Sequence, residues 1–484
     1  MKHVIRYMIW VLAFLLVAIP ILFILFYIEE DWRGARDWAA CQRDLAAKGE
    51  TLDLRQLIPP GNPADDLSKV PIFAPLFEKD NDSADLSIKK LDIGLGEKSS
   101  MLPKLGGFQV NHPVDLEAWQ KFYRSLPQAG LSPSPQTPAR DILQALSVFD
   151  SSMAQIDTAM SNPNAYWPTN YTPPFLTEFS CVTHTIAFAK ILQLRAIAHL
   201  ENHETDLAEK DYLFSFHLHQ PLAKRCFFID YLVMIGVRAI DESILWEGLR
   251  RHAWSDAQLH QMESTLGAND ILAFAQQAIR TDRAESLDTM KYVQKGHYDQ
   301  LVTMSKEDNL KSAFGEFEML VFLHVRPSGW GKQELAYLSN KMQNGIDSID
   351  HSRGTLDSDF YKNLTDSKTW PAWKKVNFLM PAILLVPLDK LGVNVARAET
   401  YRRLARLACR LEEYRIAHRA YPDKLDDLPD LPAHLNQEVL SQQPLQYHRQ
   451  GDGYQLYSLG WNQKDDGGTY NADPQQGDWP WPSP

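Results

Sequence analysis

Apolar and polar positions follow three different patterns along the chain. From Tyr7 to Ile28 no charged residue occurs. As a helix that run would cover about 33 Å, enough for a ~30 Å hydrocarbon core, and a spanning helix tolerates an internal proline such as Pro20. Lys2 and Arg6 precede the run, and Glu29, Glu30 and Asp31 follow it. The positive-inside bias then places the N-terminus in the cytoplasm and the body beyond the membrane. A cleaved signal peptide would show an apolar stretch of only ~7–15 residues followed by small residues. Here the stretch is longer and acids follow. The pattern therefore predicts an uncleaved single-pass anchor in a bacterial inner membrane, with residues 7–28 in lipid and the bulk of the chain periplasmic. Trp32–Leu45 is amphipathic and continues the helix toward Gly49.

Residues 57–135 show no sustained period. Pro59, Pro60, Pro63, Pro71 and Pro75 break any helix, and Gly94, Gly96, Gly106 and Gly107 mark turns. A short strand is expected around Phe108–Val110. Pro127–Pro138 reads as a linker.

The third pattern is helical. Thr137-Pro138 supplies an N-cap and a first-turn proline. Ile142, Leu146, Phe149, Met153, Ile156 and Met160 then form one apolar stripe at steps of three and four. A loop rich in aromatics follows (Tyr166, Trp167, Tyr171, Phe175). Helical patterns resume over roughly 177–202, 206–220, 226–250, 256–264, 270–295, 308–324 and 332–350, and again over Leu388–His418. Leu192, Ala196, Ala208, Tyr212 and Pro221 partly resemble a tetratricopeptide helix pair, without a 34-residue echo. Leu445–His448 and Tyr454–Ser458 read as a hairpin. The predicted fold is mainly α: an N-terminal transmembrane helix, a helical-hairpin bundle or short solenoid, and a small C-terminal antiparallel β domain. Its expected divisions are 1–28, 29–135, 136–385 and 386–484.

The 484 residues carry a formal net charge of −12, 44% hydrophobic and 23% charged residues, the balance of a globular chain. The acidic balance argues against nucleic acid as a partner. Charge is uneven. Arg397–Arg419 holds seven Arg and three Glu, whereas Tyr421–Pro484 holds ten acids against three bases. The arginine-rich stretch reads either as a solvated basic face or as a contact surface for an acidic partner or lipid headgroups. Cys41, Cys181, Cys226 and Cys409 are far apart and include no C-x-x-C, so disulfides and buried thiols both remain open.

No nucleophile elbow, Walker loop or dinucleotide fingerprint occurs. His199 and His203, at i and i+4, could share a helix face as zinc ligands do, but Glu201 between them would point away. Structural histidines account for the pair more simply. The loop aromatics could stack on sugars or peptides, or pin the loop onto helices.

The C-terminal order is more specific. A helix ends near Tyr421-Pro422. Then come Tyr454-Gln-Leu-Tyr457-Ser-Leu-Gly460, Lys464-Asp-Asp-Gly-Gly468, Asn471-Ala-Asp473 and Asp478-Trp479. Over about residues 404–484 this resembles the C-terminal domain of the major pseudopilins of type II secretion. The resemblance implies a small antiparallel sheet closed by a calcium-binding loop. Its implied ligands are the Leu459 carbonyl, Asn462, Asp465, Asp466 and Asp473, with Asn462 standing where the family carries Asp. Calcium suits such hard oxygens. The chain departs from the family at its start, where a processing-site Gly and an early Glu are missing, so filament assembly is not expected. The reading that follows is a membrane-anchored periplasmic binding or scaffold protein with an envelope-protein partner, linked to a secretion-like or other envelope assembly. The alternative is an anchored hydrolase of envelope polysaccharide or peptide.

Overall fold

The computed structural model describes residues 2–58, 60–74, 103–169, 180–297, 324–362, 370, 378–385, 388–432 and 434–482. The helices are α1 (Lys2–Ala47), α2 (Leu54–Leu57), α3 (Leu116–Arg124), α4 (Pro138–Leu146), α5 (Asp150–Met160), α6 (Ser180–Glu201), α7 (Thr205–His217), α8 (Gln220–Arg225), α9 (Phe228–Arg250), α10 (Asp256–Gly267), α11 (Ile271–Gln294), α12 (Ser328–Asp347), α13 (Ser358–Lys362), α14 (Leu379–Leu384) and α15 (Leu388–His418). The strands are β1 (Ile349–Asp350), β2 (Thr355–Leu356), β3 (Gln446–Gln450), β4 (Gly453–Ser458) and β5 (Trp479–Trp481). The protein is mainly helical, with a small antiparallel sheet near its C-terminus.

The first half of α1 is long and apolar enough to cross a membrane, and none of its most apolar stretch is buried against the body. The second half behaves differently. Glu30, Cys41 and Leu45 are buried, and the helix lies along α12. Gly34 and Gly329 make that approach possible: a β-carbon on either would collide with the other helix's backbone. Asp31 Oδ1 accepts from Gly329 N (2.7 Å) and Ser328 Oγ (2.9 Å), capping the start of α12 from another helix. Glu30 Oε2 accepts from Trp330 Nε1 (2.9 Å), Gln333 Nε2 (3.2 Å) and Arg33 Nη2 (2.8 Å). Tyr27 donates its hydroxyl to the Val325 carbonyl, and Phe26 meets Trp330 edge-on. Further along, Glu50 binds Arg280 (3.0 Å) and the buried Arg283 (2.6 Å). The acids that follow the apolar run therefore clamp α1 to the body.

Two apolar cores lie on either side of α6 and α9. One gathers α3, α4 and α5 with Ile191 and Leu194 of α6 and Val233 and Val237 of α9. The other gathers α7, α10, α11, α12, α15 and the sheet with Ala196 of α6 and Met234 of α9. Helices apolar on several faces belong between layers. The apolar cores thus run across the sequence positions 135/136 and 385/386. Ala196, Ala208 and Tyr212 of the tetratricopeptide-like pair lie together in the second core.

Several expectations need correction. The stripe from Ile142 to Met160 is buried throughout, but Ser147–Phe149 forms a 3-10 turn between α4 and α5. Phe108–Val110 is a 3-10 turn instead of a strand. Gly107 pairs with His112, Asn111 takes a left-handed φ of 50°, and Phe108 packs on Trp481. Pro127–Pro138 is held against its neighbours, with Arg124 bonding the carbonyls of Ser132 and Ser134 and the Asp141 carboxylate. The helix expected over 308–324 lies almost wholly outside the described residues.

α15 keeps its expected bounds. Its Glu412 accepts from the Tyr421 hydroxyl (2.8 Å), while the Tyr447 hydroxyl donates to the Pro422 carbonyl (2.7 Å), so the Tyr-Pro pair joins helix to sheet. β3 and β4 form the expected hairpin, with Tyr447 opposite Leu456 and a tight turn at Gly451, whose φ is 58°. β5 adds a third strand that the sequence reading lacked. It pairs with β4 and buries Trp479 and Trp481.

Candidate functional site

A polar cleft opens where α10 ends, α11 begins and α15 passes beneath. Its volume is about 180 Å3. Arg402, Arg406 and Glu399 form its inner wall. Asn269, Asp270, His351, Ser352 and His434 stand around it. These come from distant segments, brought together because α15 is buried between α10, α11 and the tail.

The arginines are ordered by shared carboxylates. Glu399 accepts from Arg402 Nε (2.7 Å) and Nη2 (2.8 Å) and from Arg403 Nε (2.8 Å). Arg402 also donates to the Leu266 carbonyl (3.2 Å), and Arg403 to the Gln437 (2.8 Å) and Gly354 carbonyls. Gly354 must be glycine: its φ is 70°, and a β-carbon there would press on the Arg403 guanidinium. In the neighbouring group, Glu263 Oε1 accepts from Arg406 Nη2 (2.7 Å) and, at 3.4 Å, from Arg410 Nε. Burial pushes the Glu399 carboxyl up, but the two guanidiniums outweigh it and hold the group at about 2. Burial and the cations Arg403, Arg402 and Arg406 lower His434, so its imidazole stays neutral near pH 7.

Behind the cleft lies a sealed polar layer. Arg238 is buried over the Phe216 ring at 5.3 Å, and its guanidinium nitrogens have no hydrogen-bond partner among the described residues. Asp241, bonded by the Ser215 hydroxyl, and Glu242 are both buried beside it; burial pushes each carboxyl up to about 8, against the pull of Arg238. Neither carboxylate lines the cleft.

The arginine-rich stretch is thus largely drawn into the body, with Arg397 and Arg415 half-buried and Arg419, past the helix end, exposed. Arg402 and Arg403 are buried, and Arg406 and Arg410 are half-buried. Sequence reasoning missed the cleft because the partners, Glu263, Gly354 and His434, lie far away in the chain. The one local signal was Glu399 three and four residues before Arg402 and Arg403, the spacing that pairs charges on a helix.

The other candidates are dispersed. α6 ends at Glu201, and His203 takes a left-handed φ of 63°, so His199 and His203 do not share a helix face. His199 Nδ1 instead meets Glu204 Oε2 at 2.7 Å. His219 is fully buried against Phe216, and burial drives its pKa well below the ordinary value. Trp167 is buried on Phe73, consistent with a pinned loop; Tyr171 and Phe175 lie outside the described residues. Cys41, Cys226 and Cys409 are free and buried.

In the C-terminal loop, Asp478 organises the backbone. Its Oδ2 accepts from Gly468 N (2.6 Å) and Asp466 N (3.0 Å), while its buried Oδ1 has no partner among the described residues. Burial and the charges of Asp465 and Asp466 raise its pKa. Asp465 accepts from Gly467 N (2.9 Å) and the Tyr457 hydroxyl (3.1 Å). Asp466 accepts from Asn462 Nδ2 (3.2 Å). Asp473 caps its own turn through Gln475 N (3.0 Å). The Leu459 amide donates to buried Glu438 (2.8 Å). Among the described residues no three His, Cys, Asp or Glu side chains are gathered as a metal site would need. The loop is closed by hydrogen bonds.

Fold and site together define a mainly helical protein with an N-terminal helix able to span a membrane, clamped to a body that carries a polar cleft. Comparison of the chain with protein families, curated proteins and solved structures finds no match.

Proposed function

We propose that the chain is a membrane-anchored binding or scaffold protein of the bacterial envelope. In this reading α1 crosses the inner membrane with its N-terminus in the cytoplasm, and the body holds a periplasmic envelope protein in a fixed orientation. The observation that carries the reading is the clamp. A passive tether needs only a flexible stalk, whereas here α1 runs unbroken into the body and is fixed at Glu30, Asp31 and Gly34, with Glu50 holding the chain just past its end. The pseudopilin-like order of the tail supports an envelope or type II secretion-like assembly as the setting. The hydrolase reading is the weaker one, because neither pair of carboxyls with raised pKa, Asp241 with Glu242 or Asp282 with Glu285, lines the cleft.

In-cell crosslinking followed by purification of the full chain tests the proposal. It should recover a specific envelope protein, and a Gly329→Leu variant, still anchored but unclamped, should lose it. Recovery of no envelope protein, or equal recovery by the variant, contradicts the reading.

Calcium in the tail loop is a separate proposal. The partnerless Asp478 oxygen beside Asp465 and Asp466 favours a cation there. Millimolar calcium should raise the thermal midpoint of the full chain, since a ligand that binds only the folded state stabilises it. No rise, or an equal rise in Asp465→Ala/Asp473→Ala, rules out the expected ligands.

A further inference from the structure

We infer that the cleft between α10, α11 and α15 binds a small tetrahedral oxyanion, a phosphoryl group in the first instance. The inference does not depend on the scaffold reading; it rests on the cavity and the free donors that face it.

Two groups of three side chains flank the cavity. In each, one carboxylate is shared by two guanidiniums: Glu399 by Arg402 and Arg403, and Glu263 by Arg406 and Arg410. Each group by itself carries a formal charge of +1, with Asp270 standing near Arg402 and Glu413 near Arg410. The acid at the rim, Asp270, keeps its charge, which acts on Arg402, while its two oxygens are engaged. Its Oδ1 caps α11 at Ala273 N (2.9 Å) and its Oδ2 meets His351 Nδ1 (3.2 Å). Glu399 is likewise saturated by its two arginines. The acceptors are thus used internally while donors remain.

The principal free donor is Arg406. It commits Nε and Nη2 to Glu263, and Nη1 has no partner among the described residues. Gly267 fits this side chain closely: a β-carbon there would lie 3.2 Å from Arg406 Nη2. His434 also stands at the cavity with no hydrogen bond among the described residues, and a neutral imidazole can present its N–H to an anion. A volume of about 180 Å3 holds several waters, and so admits a tetrahedral anion with a short substituent. A guanidinium suits a tetrahedral oxyanion because it stays charged and donates from a fixed planar fork.

The phosphoryl group could arrive as free phosphate or on a small carrier such as a glycerol headgroup. Isothermal titration calorimetry of the full chain in detergent, at constant chloride strength, separates these using inorganic phosphate and glycerol 3-phosphate as probes. Saturable binding of either at millimolar concentration or below is expected. Binding of phosphate alone identifies the free ion, and tighter binding of glycerol 3-phosphate identifies the carrier. Arg406→Gln should weaken binding about tenfold or more, the effect of one lost charged hydrogen bond. His434→Ala, at an exposed position and so without risk to the fold, should weaken it several-fold. No saturable binding of either probe to the wild type overturns the inference. So does unchanged affinity in both variants when circular dichroism shows them folded.

Discussion

Replacing Glu399 by Gln tests whether the arginines of α15 are an ordered internal device. The side chain keeps its shape and loses its charge, leaving Arg402 and Arg403 buried without a counter-ion. Held at about 2 instead of the ordinary 4.5, the wild-type carboxyl contributes ~3 kcal/mol to folding at neutral pH. The independent expectation for removing one partner of a buried ion pair is about 3–5 kcal/mol. Because the folded pKa is depressed, the contribution is complete above about pH 4.5 and disappears as pH falls through 2. Urea unfolding of the full chain, followed by tryptophan fluorescence, should show the variant ~3 kcal/mol less stable at pH 7. The gap should shrink to roughly half near pH 3. A variant within about 1 kcal/mol of wild type at pH 7, or a gap that ignores pH, would refute the reasoning.

Other outcomes follow from the same packing. Gly329→Leu forces side-chain atoms into the backbone of α1 at Glu30, so about 1–3 kcal/mol should be lost and limited proteolysis should open the stretch after Asp31. Glu242→Gln should act in the opposite sense to Glu399→Gln. A buried carboxyl raised to about 8 costs the folded state stability as pH rises from about 4.5 to 8, so the amide should stabilise at pH 8.5 and change little at pH 4, as denaturation midpoints at the two pH values would show. Asp31→Ala removes the cap on α12 and should lower stability by about 1 kcal/mol, read in the same unfolding assay.

What the sequence disclosed depended on whether the signal was local. The uncharged run Tyr7–Ile28, the bounds of α15 and the hairpin about Gly451 all arise from short-range pattern, and each appears as expected. The apolar stripe through Met153 correctly marked a buried face, but patterns of three and four do not distinguish one helix from two joined by a 3-10 turn. β5 stayed hidden because Trp-Pro-Trp resembles a loop until β4 is present to pair with it. The clamp and the cleft were illegible for a common reason. Gly34 has meaning only opposite Gly329, and Arg406 only beside Glu263. The same composition that suggested a solvated basic face describes an internal network once Glu263 arrives from α10 to join Glu399 and Glu412 of α15 itself.

Central to the account is that the body is fixed to the helix that emerges from the apolar segment. Hydrogen–deuterium exchange of the full chain in lipid nanodiscs measures this most directly. Backbone amides from Arg33 to Ala47 should be protected to a degree comparable with α12, and protection should fall selectively in Gly329→Leu. Exchange of that stretch at the rate of an undocked helix in the wild type, or protection unchanged in the variant, would contradict the account.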